Sequence, residues 1–323
     1  MTNIEETLIY VILSLHNQNQ TITLDALLTP LTMLDYATDN LDIEIGGLIA
    51  KGLLISHKTN EYSLTELGKH EASQIYKIRT REEFSGVIER GSNSEAYLDF
   101  CGEVYGYRMP LFNMMDKTQL DFVFESIPVS SGDTVLDLGC GTGCILDHLV
   151  KKYACNGIGI DHIDPQKAAK SGLIKYIQSD IDDLRGNTIN ANICLAIDSL
   201  YFSANLESLI SKLNSIFDNR MYLFYSQYIF DLKNKQQSSL HADHTRLASA
   251  LQYNGIRYYT IDFSGNEYSL YEIGLTVLAK YRASFEAESN ISLYEAKLSE
   301  YQTGRDLYDQ GLASRFLYIV APE

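Results

Sequence analysis

Gly139, Gly141 and Gly143 alternate directly after the run Val135-Leu136-Asp137-Leu138 and directly before Cys144-Ile145-Leu146. Glycines spaced this way let backbone amides approach a ligand without a Cβ in between. Val135, Leu136 and Leu138 read as a buried strand, and Ile145, Leu146, Leu149 and Val150 recur on one face of a helix starting near Cys144. The free N–H groups of that helix start would face a carboxylate or phosphate. Acids follow at the ends of the next two predicted strands. Gly157-Ile158-Gly159-Ile160 closes on Asp161, about 20 residues past the glycines, where a carboxylate accepts ribose hydroxyls. Lys175-Tyr176-Ile177-Gln178 runs into Ser179-Asp180-Ile181-Asp182. A dinucleotide fingerprint needs glycine at 144, where this chain has cysteine, so the NAD reading weakens. Two strand-end acids suit a free ribose and an exocyclic adenine amine, and suit a 2′-phosphate poorly.

These ordered motifs resemble the class I S-adenosylmethionine-dependent methyltransferases, over roughly residues 95–323. Asp137-Leu138-Gly139-Cys140-Gly141-Thr142-Gly143 is similar to the family's first motif, and Ile197-Asp198-Ser199-Leu200-Tyr201-Phe202 to the end of its fourth strand. The resemblance implies S-adenosyl-L-methionine as cofactor. Gly139 to Gly143 would hold its methionyl portion, Asp161 the ribose, Asp180 the adenine amine, and Ile181 would pack on the adenine face. Asp137, Cys140, His162 and Asp198 complete the expected cofactor-binding set.

Methyl transfer from a sulfonium is an in-line displacement, so alignment and exclusion of water do most of the work. An amine acceptor must arrive neutral, and Asp198 or the Tyr201 hydroxyl is a candidate to take its proton. A phenol or hydroxyl acceptor needs a stronger base; His241 and His244, in the polar loop before a helix capped by Thr245, are the candidates. Their His-x-x-His spacing is too sparse for a metal site, and none is expected. Pocket candidates are Tyr97, Tyr105, Phe112 and Met114 before the glycine motif, and Phe202, Gln227 and Tyr228 after the fourth and fifth strands. The chain has 23 tyrosines and no tryptophan. Tyrosine faces stabilise cations, which favours a small amine or amino-acid-like acceptor over O-methylation or a protein or peptide substrate.

The positioning elements read as an α/β fold with a seven-stranded Rossmann-like sheet. Further strands fall at 191–198, 221–226, 258–263 and 315–320, with Leu206 to Ile216 marking a helix between. Residues 265–313 carry apolar residues at helical spacing, a helical insertion before the last strand that would act as a lid. Arg282, Glu286, Glu288 and Asn290 could present polar groups from it.

Residues 1–80 read separately. Ile4, Leu8, Val11, Ile12 and Leu15 trace one helix face, Thr23 caps a second helix, Leu41 to Leu53 gives a third, and residues 55–64 form two short strands. The pattern resembles a winged helix, which in small-molecule methyltransferases implies dimerisation and substrate cover. Residues 81–94 read as a polar connector. A winged-helix regulator sensing the same cofactor is the rival, but the third-helix region carries Asp39, Asp42 and Glu44 with Lys51 as its base. Net charge is −16, which disfavours nucleic acid and acidic membranes. Five cysteines without a C-x-x-C pair fit a reducing cytoplasm, and no signal peptide or membrane span is expected.

Overall fold

The computed structural model describes residues 3–321 apart from 18–20, 34–35, 37, 39, 58–59, 165–171, 185–188, 218–219 and 230–236. Asp39 and the 230–236 part of the loop after the fifth strand therefore lie outside the described residues. The chain divides into two compact units, 1–83 with 229–236, and 84–228 with 237–323.

In the first unit, α1 (Asn3–Asn17) is followed by β1 (Ile22–Thr23), α2 (Leu24–Met33), α3 (Leu41–Ala50), β2 (Leu54–Ser56) and β3 (Glu61–Leu64). The strands form an antiparallel sheet in the order β1-β3-β2. Leu8, Val11, Ile12 and Leu15 of α1 are buried with Leu27, Ile45, Leu48 and Leu64, whereas Ile4 is exposed. Thr23 caps α2 by accepting from Ala26 N–H (3.1 Å). Lys51, the base of the third-helix region, is paired with the nearly buried Glu5 at 2.5 Å. α4 (Glu66–Ser92) starts at the Thr65 cap, whose hydroxyl accepts from Gly68 N–H at 2.8 Å. The polar stretch from 81 is thus helical as far as Ser92.

The second unit continues with α5 (Glu95–Tyr105), α6 (Lys117–Ser126), β4 (Thr134–Leu138), α7 (Cys144–Tyr153), β5 (Asn156–Asp161) and β6 (Ile174–Gln178). Then come β7 (Ile193–Ile197), α8 (Leu206–Phe217), β8 (Met221–Tyr228), α9 (Arg246–Tyr253), β9 (Tyr259–Asp262), α10 (Ser264–Ala287), α11 (Ile291–Asp309) and β10 (Ala313–Val320). The seven-stranded sheet has the order β6-β5-β4-β7-β8-β10-β9, parallel except for β10, which runs antiparallel to both neighbours.

Alternation sorts each central strand between two cores. Val135, Ile193, Leu195, Tyr222, Phe224, Leu317 and Ile319 face α5, α6, α7, α10 and α11. Leu136, Leu138, Cys194, Ala196, Leu223, Tyr225, Phe316 and Tyr318 face α8 and α9. The long insertion is helical: α10 and α11 pack closely because Gly274 and Gly304 leave room for Tyr301 and Tyr271, where a Cβ would come within 2.2 Å of a ring atom.

Candidate functional site

Between β4 and α7 the backbone turns through three left-handed glycines, Gly139 (φ +77°), Gly141 (φ +54°) and Gly143 (φ +75°). Two of them are sterically obligatory. A Cβ on Gly139 would lie 2.3 Å from Ser199 Cβ, and one on Gly143 would lie 2.3 Å from the Tyr176 hydroxyl oxygen. Gly141 differs: a Cβ there would meet nothing within 4 Å, so its absence keeps a space open. Gly139 and Cys140 donate their N–H groups to the Ile160 carbonyl (2.8 and 3.1 Å), which stitches the turn to the end of β5.

Asp161 sits there, buried, and its carboxylate accepts from Gly141 N–H (2.7 Å) and Ile163 N–H (3.1 Å). His162 Nδ1 lies 3.0 Å from the other side of the carboxylate, and its buried Nε2 has no hydrogen-bond partner among the described residues. An orphaned ring nitrogen beside an acid at a strand end suits a polar ligand such as a nucleoside. Asp180 accepts from Asp182 N–H (2.9 Å) and caps a short 3-10 turn over Ile181–Asp183, whose Ile181 is buried. Burial, reinforced by the nearby Asp161 charge, pushes Asp137 up to about 7. Burial also holds the thiols of Cys140 and Cys144 protonated, the latter pushed up to about 11. Glycine turn, Asp137, Asp161 and His162 thus form a contiguous polar cradle that fits the adenosyl cofactor the motifs imply.

A second cluster occupies the carboxyl ends of β7, β8 and the start of β10. Asp198 has a left-handed backbone (φ +51°), and both its oxygens are bound by Arg315, at 2.6 and 2.9 Å. Oδ2 also accepts from Met114 N–H (3.0 Å). Arg315 is wholly buried and donates further to Ser226 Oγ (2.8 Å) and Gln119 Oε1 (3.0 Å). Glu267 of α10, also wholly buried, lies 3.4 Å from Arg315 and accepts from Ser226, Tyr228 and Tyr308 hydroxyls (2.9, 2.9 and 2.6 Å). Burial raises Glu267 above the usual carboxylate range despite the opposing Arg315 charge.

Several sequence-predicted site residues are already engaged with protein partners. Asp198 is ion-paired, with both carboxylate oxygens gripped by the Arg315 guanidinium. Tyr201 is half-buried against Phe202 and Tyr225, and burial holds its phenol well above the ordinary value. His241 and His244 are exposed, on a turn whose Ala242 carbonyl accepts from the Tyr318 hydroxyl at 2.7 Å. Tyr318 lies three residues down β10 from Arg315, roughly 10 Å, and on the other face of the sheet. Both imidazoles therefore stand in water on the α8 and α9 side of the sheet.

Tyr97 and Tyr105 belong to the hydrophobic core. Both are buried, with their hydroxyls bonded to the Leu111 carbonyl and the Tyr301 hydroxyl. Phe112 is half-buried and stacks on Tyr97 (5.2 Å between centroids), and Met114 is buried beside Asp198. Gln227 is buried, and its Oε1 accepts from Arg246 N–H (3.3 Å) at the start of α9. Phe202 and Tyr228 are half-buried. Of the polar residues expected from the insertion, Glu288 caps α5 by accepting from Ser94 Oγ (2.5 Å) and Ala96 N–H (2.8 Å), and Asn290 donates to the Arg90 carbonyl (3.3 Å). Arg282 and Glu286 pair on the surface at 3.0 Å. Sequence reading missed Arg315, Glu267 and Ser199; the available signal was a charged residue in the otherwise buried strand 313–320.

One consequence is testable at the turn itself. Gly141→Ala should fold, with a left-handed alanine costing ~1–2 kcal/mol, yet bind adenosylhomocysteine at least about tenfold more weakly because the methyl group enters the open space. Calorimetric titration beside a melting curve reads both. Unchanged affinity would show that the space is not where the ligand lies.

No family model matches the chain. Over 130 residues it is 26% identical to the ribosomal protein arginine N-methyltransferase rmt3 of Schizosaccharomyces pombe, covering 38% of this chain and 24% of that protein. The chain thus spans about a quarter of the length of that relative. Among solved structures it is similar to phosphoethanolamine N-methyltransferase 2 of Haemonchus contortus, solved with phosphomonomethylethanolamine and S-adenosylhomocysteine (TM-score 0.57, 12% identity, 74% of this chain and 60% of that one). It is also similar to the cyclopropane synthase MmaA2 of Mycobacterium tuberculosis (TM-score 0.56, 11% identity, 73% of this chain and 98% of that one). At these identities the likeness shows the fold alone, a Rossmann-like α/β sheet with flanking helices that those two enzymes share.

Proposed function

We propose that the chain is an S-adenosylmethionine-dependent methyltransferase acting on a small-molecule acceptor, with N-methylation favoured. The observation that carries this reading is the open Gly141 position clipped to the buried Asp161 carboxylate, with the orphaned His162 nitrogen alongside. When bound, the cofactor supplies an electrophilic methyl group. The chain's own residues bind, orient and exclude water. Asp198 is committed to Arg315, and the candidate histidines are in water. A centre so furnished suits an amine that arrives neutral better than a phenol, which needs a base at the reacting oxygen.

The helix–strand–helix–helix–hairpin order of residues 3–64 supports a winged helix over residues 1–80, with 81–94 joining it to a methyltransferase domain over 95–323. Dimerisation through the first unit and lid action by α10 and α11 belong to the same proposal. Pairing of Lys51 with Glu5 weighs against the DNA-binding regulator. Among the described residues no helix is long and apolar enough to cross a membrane.

Incubating the protein with methyl-labelled S-adenosylmethionine and either a metabolite extract or a protein extract tests the reading. Label in a small, base-extractable amine supports it, and label confined to protein would replace it with a macromolecular methyltransferase. A pH dependence should accompany binding. Asp137 is held protonated up to about 7, and a cation beside it favours its ionised form. Affinity for the cationic cofactor should therefore rise with pH through about 7 and fall below it. Asp137→Asn should flatten that profile, and a wild-type profile already flat from pH ~6 to ~8 would remove Asp137 from the cradle.

A further inference from the structure

On the α8 and α9 side of the sheet, Arg246 opens α9 and is 7% exposed. Its Nη2 donates to the Ser203 carbonyl at 3.0 Å and the Tyr225 phenol is a further hydrogen-bonding neighbour of the guanidinium, while Nη1 is buried with no hydrogen-bond partner among the described residues. Among the described residues no carboxylate pairs with it, in contrast to Arg315, which meets two. Leaving a buried guanidinium half-satisfied is expensive. It is all the more conspicuous in a chain of net charge −16, which has carboxylates to spare.

The surroundings place it near the proposed reaction centre. The backbone N–H of Arg246 donates to Oε1 of the buried Gln227, near the end of β8. The Arg246 charge acts directly on the Tyr225 phenol, Tyr225 packs on Tyr201 (5.9 Å between centroids), and Tyr201 follows Asp198 by three residues at the carboxyl end of β7. Arg246, Tyr225, Tyr201 and Asp198 thus form a line from a guanidinium that has no carboxylate partner among the described residues to the centre where the acceptor would sit.

We propose that Arg246 receives a carboxylate or phosphate carried by the methyl acceptor, so that the substrate is an anionic small molecule held by that end while its nucleophile lies toward Tyr201. This rests on the methyltransferase reading, but the site is testable without it. A guanidinium grips either oxyanion through two parallel N–H bonds, and Nη1 is the donor left over for that purpose.

The test titrates inorganic phosphate, read by phosphorus NMR line broadening, and acetate, read by saturation-transfer NMR, into the full chain with and without adenosylhomocysteine. At least one anion should bind saturably to the wild type. Arg246→Gln should weaken it by about tenfold or more, and Arg246→Lys should recover part of the loss, since lysine keeps the charge without the two-pronged grip. Preference for phosphate points to a phosphorylated acceptor, and preference for acetate to a carboxylic acid. Absence of binding by either anion, or equal binding by Arg246→Gln, overturns the proposal. Should Arg246→Gln not fold, phenylglyoxal modification of wild-type Arg246, mapped by peptide mass, takes its place. The anion should slow that reaction several-fold, and an unchanged rate overturns the site. Anion binding with no binding of adenosylhomocysteine would instead sink the methyltransferase reading and leave the anion site standing.

Discussion

Arg315→Met should destabilise the folded chain by ~3–5 kcal/mol, as expected when one partner of a buried ion pair is removed and the other is left behind. Here two are left behind. Asp198 loses the guanidinium that binds both its oxygens, and the wholly buried Glu267 loses its nearest positive charge. The left-handed backbone at Asp198 also loses the contact that fixes it, so the surviving folded fraction should also lack the methyl-transfer activity proposed above. The pH dependence follows from Glu267. Its folded pKa already lies above the ordinary 4.5, so the folded state holds that proton more tightly than the unfolded chain. Stability therefore declines as pH rises from 4.5 toward the folded value. Without Arg315 the opposing attraction is gone and the decline steepens. Melting temperatures of variant and wild type should lie closer together at pH ~5 than at pH ~8. A gap that widens toward acid would mean that Glu267 is not part of the cluster's electrostatics. Arg315→Lys keeps the charge but not the two-pronged grip, and should fall between the two.

Why this cluster escaped the sequence is instructive. Asp198 and Arg315 are 117 residues apart, and Glu267 stands 48 residues from Arg315. No local spacing links them. Read alone, Glu267 is an acid in the first turn of a helix, and Asp198 a strand-end acid like Asp161. What separates the two strand-end acids is the partner: backbone N–H groups of the adjacent turn for Asp161, an arginine from the last strand for Asp198. The same limit explains Tyr97 and Tyr105, whose aromatic character marked them as pocket candidates. Whether an aromatic ring lines a cavity depends on what covers it, and for Tyr105 the cover is Tyr301, 196 residues on. By contrast, features set by neighbours in sequence were legible. Caps at Thr23, Thr65 and Thr245, strand alternation through 135–138 and 193–197, the glycine turn and the helical insertion all follow from local rules. Arg246 lies between these cases: its position at a capped helix start was readable, but its missing counter-charge is visible only in three dimensions.

Asp161→Ala should lower affinity for adenosylhomocysteine by about 100-fold while the protein still folds. Two ribose hydroxyls donating to an ionised carboxylate contribute ~1.5–3 kcal/mol each before competition with water, and ~2.7 kcal/mol is two decades of affinity. The structural cost is smaller. Gly141 and Ile163 lose the acceptor of their N–H groups, but Gly139 and Cys140 remain bonded to the Ile160 carbonyl, so the turn keeps its tie to β5. Loss of those two acceptors should cost ~1–3 kcal/mol of stability, enough to lower the melting temperature without unfolding the chain. Asp161→Asn separates the two roles. Its amide oxygen can still accept from Gly141 N–H, so stability should recover, while the lost charge and second acceptor should keep binding about tenfold weak. Calorimetry and melting curves on the three proteins decide the matter. If alanine at 161 lowers the melting temperature but leaves the binding constant where it was, Asp161 is a clip for the glycine turn, and the ribose must find its acceptor elsewhere on the carboxyl edge of the sheet.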